Sequence, residues 1–538
     1  MLSRWQAGVL NQIRDLRVVP RLAVGDVVAG VSVAAILIPQ SLAYASLAGL
    51  PESVGLIAAA VPLMVFALLA SSPCLQTGPV AITSLLTAGA LQGAGLDGGT
   101  SDYVSAAALL AVLVGLIRLI VGGLRLGSVV YLMAEPVMAG FTSGAAVVII
   151  SSQLPRALGV DLPPPVADWA NPVLKAAWAL SHIGQWAWAA IIISLATLLA
   201  VLGGRRLHRV FPGVLVAIVA MIIASQVFDY QGPVVSDIDG RFPQWSIDLP
   251  WSITPNLLAG SLVIALVGFA EPAAIARTYA NQDRQPWASS REFIASGLAN
   301  AAAGLSGAFP VGGSFSRSSI NRLAGAQTRW SGAITGLTVL LFLPFAGLLN
   351  GLPQAVLGAV VIGAVWGLLK PHTLIDFARR SRPQGLLAIT TFAATILSPP
   401  NIHWAVLGGV ALTVIVHLVR PFKVDIDYGD EIIVRPHGLF WLGSAARFKH
   451  ALATISENPN DQRPVIIDLS GIAGSPPALI GHLTKYHRLA ARSNHSLKIS
   501  NPPRASTDSL TSTGAYGPVI HSNTELIPAT HTNDSAQN

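Results

Sequence analysis

Two short stretches of this chain combine residues that can present backbone N–H groups to an anion. One is Ser72-Pro-Cys-Leu-Gln-Thr-Gly-Pro79, followed by VAITSLL; the other is Phe309-Pro-Val-Gly-Gly313, followed by SFSRSSI. In each, proline and glycine oppose helix at the start and the residues behind them favour it, so a helix begins late, near the middle of an apolar segment. A helix start leaves N–H groups without intrahelical partners and carries the positive end of the dipole. Two such starts facing each other make an anion site.

Charged and polar side chains inside apolar stretches point to the same place. Arg317 sits four residues beyond Gly313. An arginine there costs about 2.5–3.5 kcal/mol on insertion scales, so it must face protein or a wet cavity. It could serve the anion, or pair with Glu271 or a carbonyl. Glu271 lies within SLVIALVGFAEPAAIARTY, where desolvation favours reversible protonation. The two readings agree, because protonating Glu271 would free Arg317 for an anion. Gln40 and Tyr44 follow Pro39, one helical turn apart, and offer amide and hydroxyl donors. Glu135 and Asp26 read as helix-start carboxylates, His403 and His417 as interfacial residues, and Cys74 as an apolar filler.

The elements that must carry these residues are set by composition. Of 538 residues, 52% are hydrophobic and 11% charged, with mean hydropathy +0.60 and net charge +7. Soluble proteins carry about 25% charged residues, so most of this chain must face lipid or other apolar helices. That excludes a soluble enzyme, a nucleic-acid-binding domain and a disordered chain. A single cysteine rules out an intrachain disulfide or a multi-cysteine metal site. The first apolar stretch is too long for a cleavable signal.

About fourteen apolar segments are legible: 27–49, 54–71, 78–93, 104–123, 129–153, 185–203, 210–228, 257–279, 292–308, 314–325, 331–350, 353–369, 384–398 and 403–420. The charges support this count. Arg4, Arg14, Arg17 and Arg21 precede the first segment and predict a cytoplasmic N-terminus. Even-numbered connections then carry Arg125, Arg205, Arg206, Arg209, Arg284, Arg291, Arg329, Lys370, Arg379, Arg380, Arg382 and Lys423. Odd ones carry Glu52, Asp97, Asp102, Asp161, Asp168, Asp237, Asp239 and Asp248, with only Arg156, Lys175 and Arg241 opposing. The two broken segments are third in each half, which suits a 7+7 inverted repeat. The expected fold is an all-α polytopic membrane protein with an α/β appendage. In the appendage Asp425–Ile433 alternates like a strand, PVIIDLS (464–470) and HSLKIS (495–500) read as strands, and 479–492 has helical spacing. From Pro502 the Ser/Thr/Asn/Pro-rich chain reads as disordered.

These residues resemble the SulP/SLC26 family of anion transporters. The matching stretches are GDVVAGVSVAAILIPQSLAYASLAGLP (25–51), TGPVAITSLL (77–86) and FAEPAAIARTYA, REFIASGLAN and FPVGGSFSRSSINRLAGAQTRWSGA within 269–333. The resemblance implies an N-terminal cytoplasmic segment (1–24), a transmembrane domain (25–421) with core and gate subdomains, a STAS-like cytoplasmic domain (422–501) and a tail (502–538). It implies an anion site of Gln40 and Tyr44, of Gly78, Pro79, Val80 and Ala81, and of Ser314, Phe315, Ser316 and Arg317. The family's acidic position linked to cation or proton coupling falls on Glu271. Homodimers and an elevator-like motion are further implications.

Sodium-coupled bicarbonate members lack the Ser-Arg-Ser pattern and carry Asp at the acidic position, so this chain is expected to couple an oxyanion such as sulfate to protons. The STAS-like part departs from the family pattern at Ala473-Gly474-Ser475-Pro476-Pro477, and the closing helix and strand lack a counterpart. The expectation is a secondary active transporter of the plasma (cell inner) membrane. It imports sulfate with a proton, and Val80, Ala81, Ser314 and Phe315 donate backbone N–H groups. The partners are an inorganic anion, a proton, the lipid bilayer and a second copy, with no nucleic acid, cofactor or metal. A bicarbonate or dicarboxylate carrier, an uncoupled exchanger or channel, and a membrane receptor are the alternatives. No nucleophile–base pair or phosphate-binding loop suggests an enzyme.

Overall fold

A computed structural model of the chain describes residues 21–126, 134–204, 213–235, 242–283, 287–419, 423–437, 463–471, 497–500 and 519–520, with a few isolated positions between them. Its helices are α1 (Val24–Leu47), α2 (Glu52–Leu69), α3 (Ala81–Gly93), α4 (Ser101–Gly123), α5 (Glu135–Leu158), α6 (Pro164–Ala167), α7 (Pro172–Ser181), α8 (Trp188–Leu198) and α9 (Gly213–Val227). Then come α10 (Thr254–Gln282), α11 (Ser289–Leu305), α12 (Phe315–Leu323), α13 (Trp330–Phe342), α14 (Gln354–Val365), α15 (Pro371–Arg380), α16 (Arg382–Leu397) and α17 (Ile402–Val419). Each of the apolar segments read from sequence carries one of these helices. Among the described residues seven helices are long and apolar enough to cross a membrane, and Trp188–Gly203, Gly213–Val227 and Ile402–Val416 are shorter apolar helices.

The chain divides into two units. The first comprises the described residues within Met1–Val130, Gly144–Leu369 and Thr395–Trp404. Its centre is a bundle in which α4 packs on α11, and α13 on α1 and α2. In lipid, apolar helices gain little from hiding apolar surface, so close van der Waals approach must hold them. Small residues permit it. Gly115 on α4 faces Gly297 on α11, while Gly122 lies against Ser290 and Ile294 of α11 and Gly304 against Ala108 and Val112 of α4. A Cβ at 115 would lie 2.6 Å from Ala301 N, and one at 304 would lie 2.3 Å from Ala108 O. Likewise a Cβ at 336 on α13 would lie 2.5 Å from Ala60 O on α2. Prolines 39, 62, 155 and 272 stand inside helices, as neighbouring helices allow.

The second unit comprises the described residues within Tyr131–Ser143, Lys370–Ala394 and Ala405–Asn538. It holds a five-stranded sheet in the order β3 (Lys423–Tyr428), β4 (Ile432–His437), β5 (Val465–Asp468), β6 (Leu497–Ser500), β7 (Val519–Ile520). β3 and β4 are antiparallel, and the remaining pairs are parallel. Ile432 and Val434 of β4 and Val465 and Ile467 of β5 are buried, the alternation of a sheet with one covered face. Two expectations are corrected here. The alternating stretch 425–433 is a hairpin that turns after Tyr428, because Gly429 and Asp430 interrupt the strand. A fifth strand, β7, pairs with β6 from within the stretch after Pro502 expected to be disordered. The segment before residue 21, the basic run 205–212, the 473–477 loop, the expected helix over 479–492 and the rest of 502–538 lie outside the described residues.

Candidate functional site

The two broken segments meet through their backbones. β1 (Thr77–Gly78) pairs antiparallel with β2 (Gly312–Gly313), Thr77 opposite Gly313 and Gly78 opposite Gly312. Ser314 N–H extends the ladder by donating to Gln76 O at 3.0 Å, and Thr77 Oγ1 donates to Gly312 O at 3.1 Å. Each half supplies the backbone partners that the other could not find in lipid. Because the strands are antiparallel, α3 and α12 leave the ladder from opposite ends, and both helix N-termini face it. Val80 and Ser314 are the extended N-caps. No side chain caps α3: Thr83 Oγ1 donates to Val80 O instead of accepting a first-turn N–H. At α12 Ser314 Oγ accepts Arg317 N only at 3.4 Å.

Arg317 joins the two half-helices. Its side chain is 1% exposed. Nη1 donates to Pro79 O at 2.9 Å, across from α12 to the start of α3. Nε and Nη2 have no hydrogen-bond partner among the described residues. A guanidinium with two free nitrogens is a fork suited to two oxygens of one anion. Tyr44 and Glu271 lie within electrostatic reach of it, while the partner it touches is the Pro79 carbonyl.

The remaining expected residues surround this point. Gly78 has φ +130°, and a Cβ there would sit 3.1 Å from Leu63 Cδ1, 3.5 Å from Arg317 Nη2 and 3.8 Å from Leu37 Cδ1. Leu37, Gln40 and Tyr44 recur at helical spacing, so they share one face of α1; Gln40 and Tyr44 are both buried. Pro79, Val80 and Ala81 are buried, while Ser314 and Ser316 are half-buried. Phe315 is 55% exposed, unlike the rest of the set. Glu271 is half-buried on α10. Pro272, beside it, lies against the ladder: a Cβ at 313 would be 2.8 Å from its Cγ.

Several residues that shape the site were not singled out from sequence. Asn300 on α11 accepts Val311 N–H at 2.9 Å and donates to Val311 O at 3.2 Å, a side chain doing the work of a neighbouring strand. Asn321 Nδ2 donates to Cys74 O at 3.1 Å, and Ser318 Oγ accepts Gln76 N–H at 2.9 Å. Glu292, fully buried, accepts Ser71 N–H at 2.9 Å and also the Ser71 hydroxyl, fixing the entry to the first broken segment. Arg118, 0% exposed in the C-terminal part of α4, donates to Ala265 O, Ile264 O, Ser296 Oγ and Val311 O at 2.8–3.2 Å. Arg118 carries the same signal as Arg317, an arginine inside an apolar run; the asparagines and Ser318 carry none. Asp26 caps its helix, accepting Ala23 N–H at 3.1 Å, and also takes Gln327 N–H and Thr328 N–H at 2.8 Å each. Among the described residues no group of three or more His, Cys, Asp or Glu could hold a metal ion.

The sequence pattern of the sulfate permease family matches residues 24–391. A probable sulfate transporter of Mycobacterium tuberculosis is 35% identical over 427 residues, covering 77% of this chain and 73% of its own length. A sodium-independent sulfate anion transporter of Bos taurus is 29% identical over 491 residues, covering 83% and 78%. Among solved structures, the murine solute carrier 26 family member A9 anion transporter in its inward-facing state has TM-score 0.68 at 19% identity, covering 92% of this chain and 88% of its own. The transmembrane domain of a cyanobacterial bicarbonate transporter has TM-score 0.61 at 22% identity, covering 72% and 97%. The two structural likenesses concern the fold.

Proposed function

From the fact that the chain belongs to the sulfate permease family we propose that it is a secondary active transporter importing a small inorganic oxyanion, with sulfate first, by proton symport. The observation that carries this reading is the joined pair of helix starts with the two unpartnered nitrogens of Arg317 beside them. The anion lies at the ladder. First-turn N–H groups near Val80, Ala81, Ser314 and Phe315 donate to it, Ser316 adds a hydroxyl, and Arg317 adds charge. Gln40 and Tyr44 close the site from α1. Such a site selects negative charge and small size through backbone, which any tetrahedral oxyanion satisfies.

Glu271 supplies the coupling. When ionised it holds Arg317 electrostatically; a proton on Glu271 releases the guanidinium for the anion, so proton and anion bind together. The similarity to a probable sulfate transporter of Mycobacterium tuberculosis and a sulfate anion transporter of Bos taurus supports sulfate as the cargo. The remainder of the reading is fourteen spans as a 7+7 inverted repeat with core and gate subdomains, an elevator-like motion and a homodimer. It also places both chain ends on the cytoplasmic side of the plasma membrane, the carboxyl end through a STAS-like domain.

The test is uptake of radiolabelled sulfate into proteoliposomes, with and without an inward proton gradient, for wild type and Glu271→Gln. Stimulation by the gradient that Glu271→Gln abolishes is the expected result. Uptake indifferent to both removes the proton coupling and leaves an exchanger or channel. Failure of folded protein to take up sulfate, with uptake of bicarbonate or a dicarboxylate in the same vesicles, overturns the choice of cargo.

A further inference from the structure

Arg118 is a second cation buried against the same ladder, and nothing in the transport reading above uses it. Its hydrogen-bond partners are neutral: two carbonyls of α10, the Ser296 hydroxyl of α11 and Val311 O. Among the described residues no carboxylate pairs with it. Removing a charge from water without a counter-charge is expensive, and pinning the chain at Val311 does not require it. Asn300 already satisfies both backbone groups of Val311 with a neutral amide. What Arg118 adds beyond Asn300 is positive charge.

That charge is close to the proposed anion site. A Cβ at 268 would lie 2.7 Å from Arg118 Nη2 and 3.0 Å from Thr83 Cγ2, in the first turn of α3. A Cβ at 312 would lie 3.3 Å from both Gly268 O and Thr83 Cγ2. The guanidinium therefore sits directly behind β2 and the start of α3. From Val311, its acceptor, to the Ser314 N-cap is three residues of extended chain, about 10 Å. Neutral dipoles solvate a charge without cancelling it, and the surrounding apolar bundle screens it far less than water.

We propose that Arg118 is a specificity-determining charge, a fixed positive field behind the two helix starts that favours a divalent oxyanion over a monovalent one. Coulomb energy scales with the product of the charges, so a dianion gains twice what a monoanion gains. One charge at about 10 Å under an effective dielectric of about 20 separates the two by a factor on the order of ten. Arg118 acts through space and touches no substrate. The inference rests on the anion site proposed above.

The test is calorimetric titration of the purified, full-length protein in detergent with sulfate and with nitrate. The variants are Arg118→Gln, which removes the charge, Arg118→Lys, which keeps it, and Ser296→Asp, which sets a carboxylate against the intact guanidinium. Arg118→Gln and Ser296→Asp are expected to weaken sulfate at least tenfold more than nitrate, while Arg118→Lys holds sulfate within about threefold of wild type. A merely structural staple predicts lower melting temperatures in all three with the sulfate Kd unmoved. That outcome overturns the proposal, as does equal weakening of both anions, or a tenfold loss of sulfate in Arg118→Lys. Where nitrate gives no measurable heat, the sulfate Kd of Ser296→Asp against Arg118→Lys decides. Wild type that binds no sulfate defeats the anion-site reading itself, a result distinct from wild-type binding that Arg118 does not influence.

Discussion

At the scale of single residues, Arg317 is the group on which the site turns. Its hydrogen bond to Pro79 O spends one nitrogen on holding the two halves together, and the other two remain for a ligand. Charge and geometry can be separated by substitution. Arg317→Gln keeps a donor for Pro79 O and loses the charge; Arg317→Lys keeps the charge and loses the fork. Sulfate uptake in proteoliposomes is expected to fall at least a hundredfold in kcat/KM for Arg317→Gln, about 2.7 kcal/mol, and about tenfold for Arg317→Lys, chiefly through KM. Equal rates for the two variants would mean that the fork adds nothing beyond charge. Other polar residues here are positional. Asn300, Asn321 and Ser318 have no charge to attract an anion, but each satisfies a buried backbone group that lipid would leave bare.

A two-stranded ladder, among the smallest elements of the described residues, is the one that assembles the site. The β1–β2 ladder has two residues on each side, yet it sets the register of two helices far apart in sequence. Gly78 shows why side chains are excluded there. Its φ of +130° disfavours any L side chain, and the space beside it is already taken by Leu63 and by Arg317 Nη2. Gly95 separates these two effects, since its φ is +80° with nothing within 4 Å of the missing Cβ. Each alanine substitution costs backbone strain of about 1–3 kcal/mol. Gly95→Ala is expected to lower the melting temperature a few degrees with sulfate uptake unchanged. Gly78→Ala should lose most uptake at a similar cost in stability. Uptake retained in Gly78→Ala would show that the ladder tolerates a side chain and that Arg317 is not held against it.

For the whole molecule the governing quantity is charge moved across the membrane. Sulfate carries two negative charges and the proposed coupling brings one proton, so each cycle imports one net negative charge. An inside-negative potential of 100 mV opposes that charge by about 2.3 kcal/mol, or roughly fiftyfold in the accumulation ratio at equilibrium. Proteoliposomes loaded with potassium and treated with valinomycin should therefore accumulate about fiftyfold less sulfate at 100 mV, inside negative, than at zero potential, with the proton gradient held constant. An accumulation ratio unmoved by potential would mean two protons per sulfate and a second proton site besides Glu271. Asp26 bears on integrity at this scale. It ties the start of α1 to residues 327 and 328, about 300 positions away in the chain, and so closes the first unit on itself.

Much was legible from sequence because the bilayer imposes coarse rules. Apolar length, late helix starts and charges inside apolar runs follow from solvation alone, and they picked out the helices, the two broken segments and the burial of Arg317 between them. Solvation rules carry no information about which neutral residue faces which. That Asn300 substitutes for a strand at Val311, that Arg317 reaches Pro79 O, and that Arg118 stands behind the ladder on carbonyls were decided by packing. These contacts join residues up to 238 positions apart in the chain. Their partners are backbone atoms, which are alike at every position, so only the tertiary structure selects among them.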